Sequence, residues 1–429
     1  MTLSGAERYG HHGYVGTTLD PKNGPSVAGM RWLTRLADVD DVFRSQDFEQ
    51  GGGGRRDSGP FVGGSLLSLS GDEHFERRRI LSALFRRSMV ESFQDDVFAP
   101  AFEAALRRCP RGTDGLVRAE LQRLIRVPLR RVSAALVGID GIDRTDAAER
   151  YQACVDKMAI GVNLEWVAGD HRRVTDEILP AKERFAAEFF EPSFARRRAL
   201  VEAVRAGRIE RDALPLDLMT LILLHPEHFR RWGTDLPLHE VILVNGAPAS
   251  IPLGVSHVVS ELTEWFAARP EDRALMTEPD FVRRAVFESL RLHPASPFLI
   301  RRARRDTRLA SGQAFAAGEY VVLDIYTAGR DPEVYGADPE RYDPRRAPKL
   351  KLRPMGLGFG GGPHTCIGLS LSVGGTSAAD DDGPQGIMVW VVSEIYARGV
   401  EMDPERPPRF NDVTVRNEYA EFPVIFRKC

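Results

Sequence analysis

From residue 73 to about residue 399 the apolar positions recur at three- and four-residue spacing, and this sustained period narrows the available folds more than any other feature. Segments 75–85, 96–106, 114–136, 176–188, 238–266 and 279–292 each carry an apolar stripe that a helix would bury against a neighbour. Alternation with a period of two is sparse: 319–325, after the turn Ala317-Gly318, with weaker signals near 301–309 and 423–427. The expected class is therefore mainly α with small β-sheets.

At roughly 150 residues per domain, 429 residues would permit two or three units. Two stretches, 51–64 with four consecutive glycines and 374–386 with a Ser/Ala/Asp/Gly run, have loop composition. Helical periodicity resumes on both sides of each, and no internal repeat is visible, so we read residues 1–429 as a single domain. The 58 basic and 61 acidic residues leave a net charge of −3, which excludes the basic excess that nucleic acid or anionic lipid would call for. All but six of the basic residues are arginine, a bias that fits a GC-rich, bacterial source. Residues 1–16 are polar and no uninterrupted apolar run reaches the roughly 20 residues a bilayer requires. The expectation is a soluble, cytoplasmic monomer without membrane contact. Cys109, Cys154, Cys366 and Cys429 form no C-x-x-C pair and are too scattered for a disulfide framework or a zinc site.

The chemistry concentrates in Phe359-Gly360-Gly361-Gly362-Pro363-His364-Thr365-Cys366-Ile367-Gly368. Glycines and a proline there predict a tight loop that presents Cys366 just before a helix starting at about Ile367. Loop N–H groups and a helix N-terminus favour a thiolate, the form that ligates a metal. The plainer reading is a glycine-rich turn with a buried structural cysteine. Gly356-x-Gly358-x-x-Gly361 matches the dinucleotide fingerprint literally but lacks the preceding strand, and Pro363 would interrupt the following helix.

The string F-G-x-G-x-H-x-C-x-G resembles the haem-binding loop of cytochromes P450, and further signatures follow in the family's order. Glu288-Ser289-Leu290-Arg291 resembles the E-x-x-R motif, with Arg341, in Pro339-Glu340-Arg341-Tyr342-Asp343-Pro344, expected to complete its Glu/Arg cluster. Asp72–Arg78 resembles the helix whose His74 and Arg78 contact a haem propionate, and Arg301–Asp306 the segment that supplies Arg301; His364 completes that cationic set. The resemblance spans about residues 70 to 425. It implies the cytochrome P450 fold, haem b as cofactor, Cys366 as metal ligand and catalytic thiolate, Phe359 and Gly368 in the cofactor cradle, and a small-molecule substrate on the opposite face. It also implies ferredoxin and ferredoxin reductase as electron donors, docking on Arg77, Arg79, Arg345, Arg346, Lys349, Lys351 and Arg353.

One segment departs from the family. Where monooxygenases carry an acid and an alcohol that handle protons, the helix 238–266 reads Asn245-Gly246-Ala247-Pro248-Ala249-Ser250. With Gly246 fixing the register, Pro248 holds the acid position and Ala249 the alcohol position. Pro248 should free the Val244 carbonyl and Pro252 the Pro248 carbonyl, kinking the helix, and Ser250 would replace the hydroxyl only if the kink turns it inward. Three readings stay open: a monooxygenase with an unconventional proton path; atypical chemistry without dioxygen activation, using peroxide or an N–O or O–O bond and leading to cyclisation, rearrangement or nitrene-like transfer; and a non-catalytic haem-binding protein. Phe61, Val244, Ala247, Pro248, Ala249, Phe298 and Phe422 are expected to line a pocket for a mid-sized apolar or aromatic metabolite of secondary metabolism. Arg55 and Arg56 are candidates for contacting a carboxylate on it, and 374–386 reads as an insertion after the cysteine helix.

Overall fold

The computed structural model describes residues 22, 24–229, 235–347, 352–375, 384–416 and 418–428. The helices that position the site are α1 (Leu36–Arg44), α2 (Asp72–Leu81), α3 (Leu121–Val137), α4 (Thr145–Val162), α5 (His171–Phe185), α6 (Leu236–Gly246), α7 (Ser250–Ala268), α8 (Pro279–Leu292), α9 (Leu369–Val373) and α10 (Ile387–Ala397). The strands that frame the site are β1 (Arg31–Leu33), β2 (Phe48–Gln50), β3 (Val117–Glu120), β4 (Phe298–Ala303), β5 (Tyr320–Asp324), β6 (Val400–Met402), β7 (Arg409–Phe410), β8 (Tyr419–Glu421) and β9 (Pro423–Phe426); Thr307–Arg308 and Ala314–Phe315 pair as a further short ribbon. The mainly helical class with small sheets is what the periodicity predicts.

A helix that is apolar all round belongs in a core. α7 is such a helix, buried from Ile251 through Leu262 and packed on α3, α8 and α10. Together with α6 it is long and apolar enough to cross a membrane by length and composition, but 76% of its most apolar stretch lies inside the molecule. α3 starts where the Glu120 carboxylate accepts from the Gln122 and Arg123 N–H groups, and ends at Gly138, whose φ of 91° is left-handed.

Four strands form a sheet in the order β1, β5, β4, β2, with β1 and β5 parallel and the other pairs antiparallel. Its register sets Arg301 between Gln50 and Val321. β3, β9 and β6 make a second, antiparallel sheet, and β7 pairs with β8 as a hairpin.

The helix break at Pro248 is present: α6 stops at Gly246, Ala247–Ala249 form a 3-10 turn, and α7 begins at Ser250. Pro248 cannot donate to the Val244 carbonyl, so the α-helical ladder fails there. Pro252 adds no second break. It lies in the first turn of α7, where a backbone N–H has no partner within the helix in any case.

After Cys366 the helix starts two residues later than expected, at Leu369, and runs only to Val373 before resuming at Ile387. The chain leaves and re-enters through a pinched stem. A Cβ on Gly374 would lie 2.1 Å from the Pro384 carbonyl oxygen, and one on Gly386 would lie 2.2 Å from the Gly374 nitrogen, so only glycine fits at either position. The centre of the expected insertion, 376–383, lies outside the described residues, as do 1–21, Lys349 and Lys351.

Candidate functional site

The cysteine loop is wedged against α1. Gly362, at φ 58°, brings its α-carbon so close to the Phe43 carbonyl that a Cβ would sit 2.1 Å from that oxygen. The Cys366 N–H donates to the Phe359 carbonyl at 2.9 Å, and the Arg353 guanidinium donates to Thr365 Oγ1 at 3.1 Å. Cys366 is exposed, yet the protein packed around it pushes its thiol pKa up; the Gly368 N–H and the nearby Arg78 guanidinium pull the other way.

Arg78 lies close enough to Cys366 to feel it, and burial lowers the Arg78 pKa. From the same helix, the buried His74 ring stands 4.0 Å from that of His364, and His364 Nδ1 meets Gln50 Nε2 at 3.0 Å. Burial, then Arg78 and Arg301, push His74 down to about 4; burial, then Arg301, push His364 far down. The Arg301 guanidinium is buried, lies 5.3 Å from the Phe43 ring and donates only to its neighbour's carbonyl, Ile300 O, at 3.0 Å. Its pKa falls to about 10, chiefly from burial, and the carboxylate that offsets this is Glu165. Glu165 makes no ion pair with it among the described residues; its carboxylate accepts from the Gly53 N–H, and burial pushes its pKa up to about 7. Guanidiniums and imidazoles thus gather beside the thiol, and none of them pairs with a carboxylate among the described residues. Isolated buried charge of this kind is costly.

Elsewhere the expected residues are redistributed. Glu288 and Arg291 pair as predicted, at 2.8 and 2.6 Å, both buried. The third member is Arg346, whose Nε donates to Glu288 Oε1 at 2.8 Å. Arg341 sits at the surface near Asp338 and Asp343 instead, because the 339–344 segment turns its side chain outward. Arg77 is no surface dock: it is fully buried, donating to Glu240, Gly64 O and His228 O. Arg345 pairs with Asp272 at 2.6 Å.

Phe61, Phe298 and Phe422 retain 0%, 1% and 0% exposure, too little to line an open cavity. They are core anchors. Phe61 fills the space over Gly161, Phe298 meets Trp32 and Trp166, and Phe422 meets Tyr419. Ala249 and Ser250, like Phe359 and Gly368, keep partial exposure; Val244 and Pro248 are buried, and the side chain of Ala247 lies outside the described residues. Arg55 pairs with Glu49 at 3.0 Å, and Arg56 lies over the Tyr320 ring. Sequence reasoning missed Gln50, Glu165, Arg346 and the Arg77–Glu240 pair. Only Arg77 carried a signal, one turn after Glu73 and three residues after His74.

The cysteine loop, the Glu288–Arg291 pair and this cationic cluster define a haem-thiolate class of protein. Residues 261–373 match the cytochrome P450 family model. The chain is 24% identical over 349 residues to the putative cytochrome P450 141 of Mycobacterium tuberculosis, covering 78% of this chain and 76% of that protein. It is 26% identical over 329 residues to the C-19 steroid 1alpha-hydroxylase of Sorangium cellulosum, covering 72% and 71%. A solved mutant of P450 EryK in complex with erythromycin B superposes with a TM-score of 0.64 at 19% identity, over 93% of this chain and 91% of that one. The chain is thus similar in sequence to cytochromes P450 over residues 261–373 and has their fold. Members of this family bind haem b. The residues present fit that group: its two propionates are the anions that the cluster of Arg301, Arg78, His74 and His364 lacks, and the thiol of Cys366 is a suitable iron ligand.

Proposed function

We propose that the chain is one haem-thiolate domain that oxidises a mid-sized apolar or aromatic metabolite of bacterial secondary metabolism, as a monooxygenase with an unconventional proton path. The observation that carries this reading is the exposed Cys366 thiol at the end of the glycine loop, beside Arg78, His74, His364 and Arg301, none of which pairs with a carboxylate among the described residues. In this reading Cys366 ligates the iron as thiolate, held in that form by the Gly368 N–H and Arg78. His74, Arg78, Arg301 and His364 hold the propionates, with Phe359 and Gly368 in the cradle. Haem b, when bound, supplies an iron centre on which thiolate donation favours O–O cleavage.

On the opposite side neither Pro248 nor Ala249 can hold a proton. That task falls to Ser250 Oγ, to a substrate hydroxyl, or to water on the carbonyl that Pro248 leaves without a donor. Ferredoxin and ferredoxin reductase supply electrons to a cytoplasmic monomer. The helix break at Ala247–Ala249 favours a second reading, in which peroxide or an N–O or O–O bond of the substrate is activated without external electrons, leading to cyclisation, rearrangement or group transfer.

The test uses holoprotein with a thiolate-type ferrous–CO band, incubated with candidate metabolites in three arms followed by mass spectrometry: NAD(P)H with a ferredoxin system in air, peroxide alone, and anaerobic enzyme without reductant. Conversion confined to the first arm, with one added oxygen atom, is the expected result. Conversion in the third arm overturns it in favour of the second reading.

A further inference from the structure

The tip of the β7–β8 hairpin is laced to the loop after α4. Val415 N–H and Thr414 Oγ1 both donate to the Trp166 carbonyl at 2.8 Å, and Ala168 N–H donates to the Val413 carbonyl at 2.9 Å. Arg416 follows directly. Its Nε donates to the Ala295 carbonyl at 2.9 Å, and its guanidinium lies 5.4 Å from the centre of the Trp166 ring. The Glu418 carboxylate stands off at 3.8 Å, beyond hydrogen-bond reach. The side chain keeps only 12% of its surface, and burial lowers its pKa against the weaker pull of Glu418.

A guanidinium has five donors in a planar fork that matches a carboxylate. Here one of them meets a neutral acceptor, and no hydrogen bond of the other four is found among the described residues. Ala295 lies just before β4, the strand that carries Arg301, and Trp166 Nε1–H donates to the Phe298 carbonyl of that strand at 3.1 Å. Arg416 stands apart from the propionate set, since none of Arg301, Arg78, His74 and His364 is among its contacts. The residues expected to meet an anion, Arg55 and Arg56, are already engaged by Glu49, Ser68 and Tyr320.

We propose that Arg416 is a specificity-determining residue that anchors a carboxylate of the substrate, so that the substrate class is an apolar or aromatic acid. This rests on the haem-thiolate reading and deepens it. The Trp166 face packs the ring or chain next to that carboxylate, and the fork of Arg416 fixes its orientation before any reaction.

The experiment titrates holoprotein with a panel of arylalkanoic acids and their matched carboxamides, read by the low- to high-spin shift of the Soret band. Acids are expected to bind at least tenfold tighter than their own amides. R416Q should abolish that preference while leaving amide binding within threefold, and R416K should keep part of it. A panel without acid-selective binding, or a preference that survives R416Q, overturns the proposal. A ligand-independent measurement accompanies it: a buried cation whose carboxylate partner, Glu418, stands off at 3.8 Å gains little from that pair, so R416M should keep or raise the thermal midpoint. A fall of more than about 5 °C assigns Arg416 to holding the hairpin and overturns the proposal. Loss of the thiolate-type ferrous–CO band in R416Q alone would move Arg416 to haem binding and overturn it too. Absence of that band in the wild type would overturn the haem-thiolate reading itself.

Discussion

Glu288 is held by three groups at once: Arg291 through two donors, Arg346 through Nε, and the Asp343 N–H at 3.2 Å. A buried carboxylate so surrounded is stable only while its donors remain. Arg346→Gln should therefore cost about 2 kcal/mol in chemical denaturation, whereas Arg341→Gln, at the surface, should stay within about 0.5 kcal/mol. Equal effects would mean that Arg341 shares the cluster in solution. Glu165 makes a pH prediction. Burial holds it up to about 7 against an ordinary value of 4.5, so the folded chain binds this proton more tightly than the unfolded chain does. That stabilisation is complete below about pH 4.5 and is lost as the pH rises through about 7, on the order of 3 kcal/mol in all. Glu165→Gln should match the wild type near pH 4 and exceed it near pH 8 in denaturant midpoint. A wild type that loses nothing relative to the variant across that window would show a cation pairing with Glu165.

At the scale of elements, two interruptions govern the surroundings of the cysteine loop and the broken helix. Gly386 closes the stem between α9 and α10 at φ 78°, with Val373 and Gly374 backbone atoms within 2.6 Å of where a Cβ would stand. Gly386→Ala should destabilise by at least about 2 kcal/mol, since both strain and overlap oppose it. Because α9 follows Cys366 directly, it should also broaden the Soret band. A stable variant with an unchanged spectrum would show that the stem can open. The break between α6 and α7 concerns proton handling instead. Pro248→Glu with Ala249→Thr places an acid and an alcohol at the two vacant positions, and in the reductant-supported arm the ratio of product to oxygen consumed should rise. Collapse of an oxygen-independent activity in the same variant would show a site rebuilt around Pro248.

For the whole molecule, the Arg77–Glu240 pair ties α2 to α6 and, through the Leu66 N–H on Glu240 at 2.9 Å, to the turn that precedes α2. Both side chains are fully buried, so Glu240→Ala leaves Arg77 with only the partly exposed Glu73, at 3.2 Å, as counter-charge and should cost about 3 kcal/mol. A loss under about 1 kcal/mol in urea would mean that water reaches Arg77. The spacing of Arg77 signalled its pair with Glu73 one turn earlier but not its burial against Glu240. Residue 77 reads as one more arginine on a polar helix, and its burial depends on α6, which arrives some 160 residues later in the chain. Much was legible from local pattern: the helical class, because an apolar stripe depends on neighbours three and four positions away; the Cys366 loop, because its glycines satisfy backbone limits set within ten residues; and the break at Pro248, because a missing N–H fails wherever the helix sits. Other features were settled only when distant segments met. Arg346 displaced Arg341 beside Glu288, Gln50 reached His364, Phe61, Phe298 and Phe422 withdrew into the core, and Arg416 was enclosed with Glu418 standing off at 3.8 Å. Sequence by itself determined what depends on short-range geometry and backbone chemistry. Tertiary structure alone decided which charges are buried and which partners they find, because burial and pairing arise from approach in space rather than along the chain.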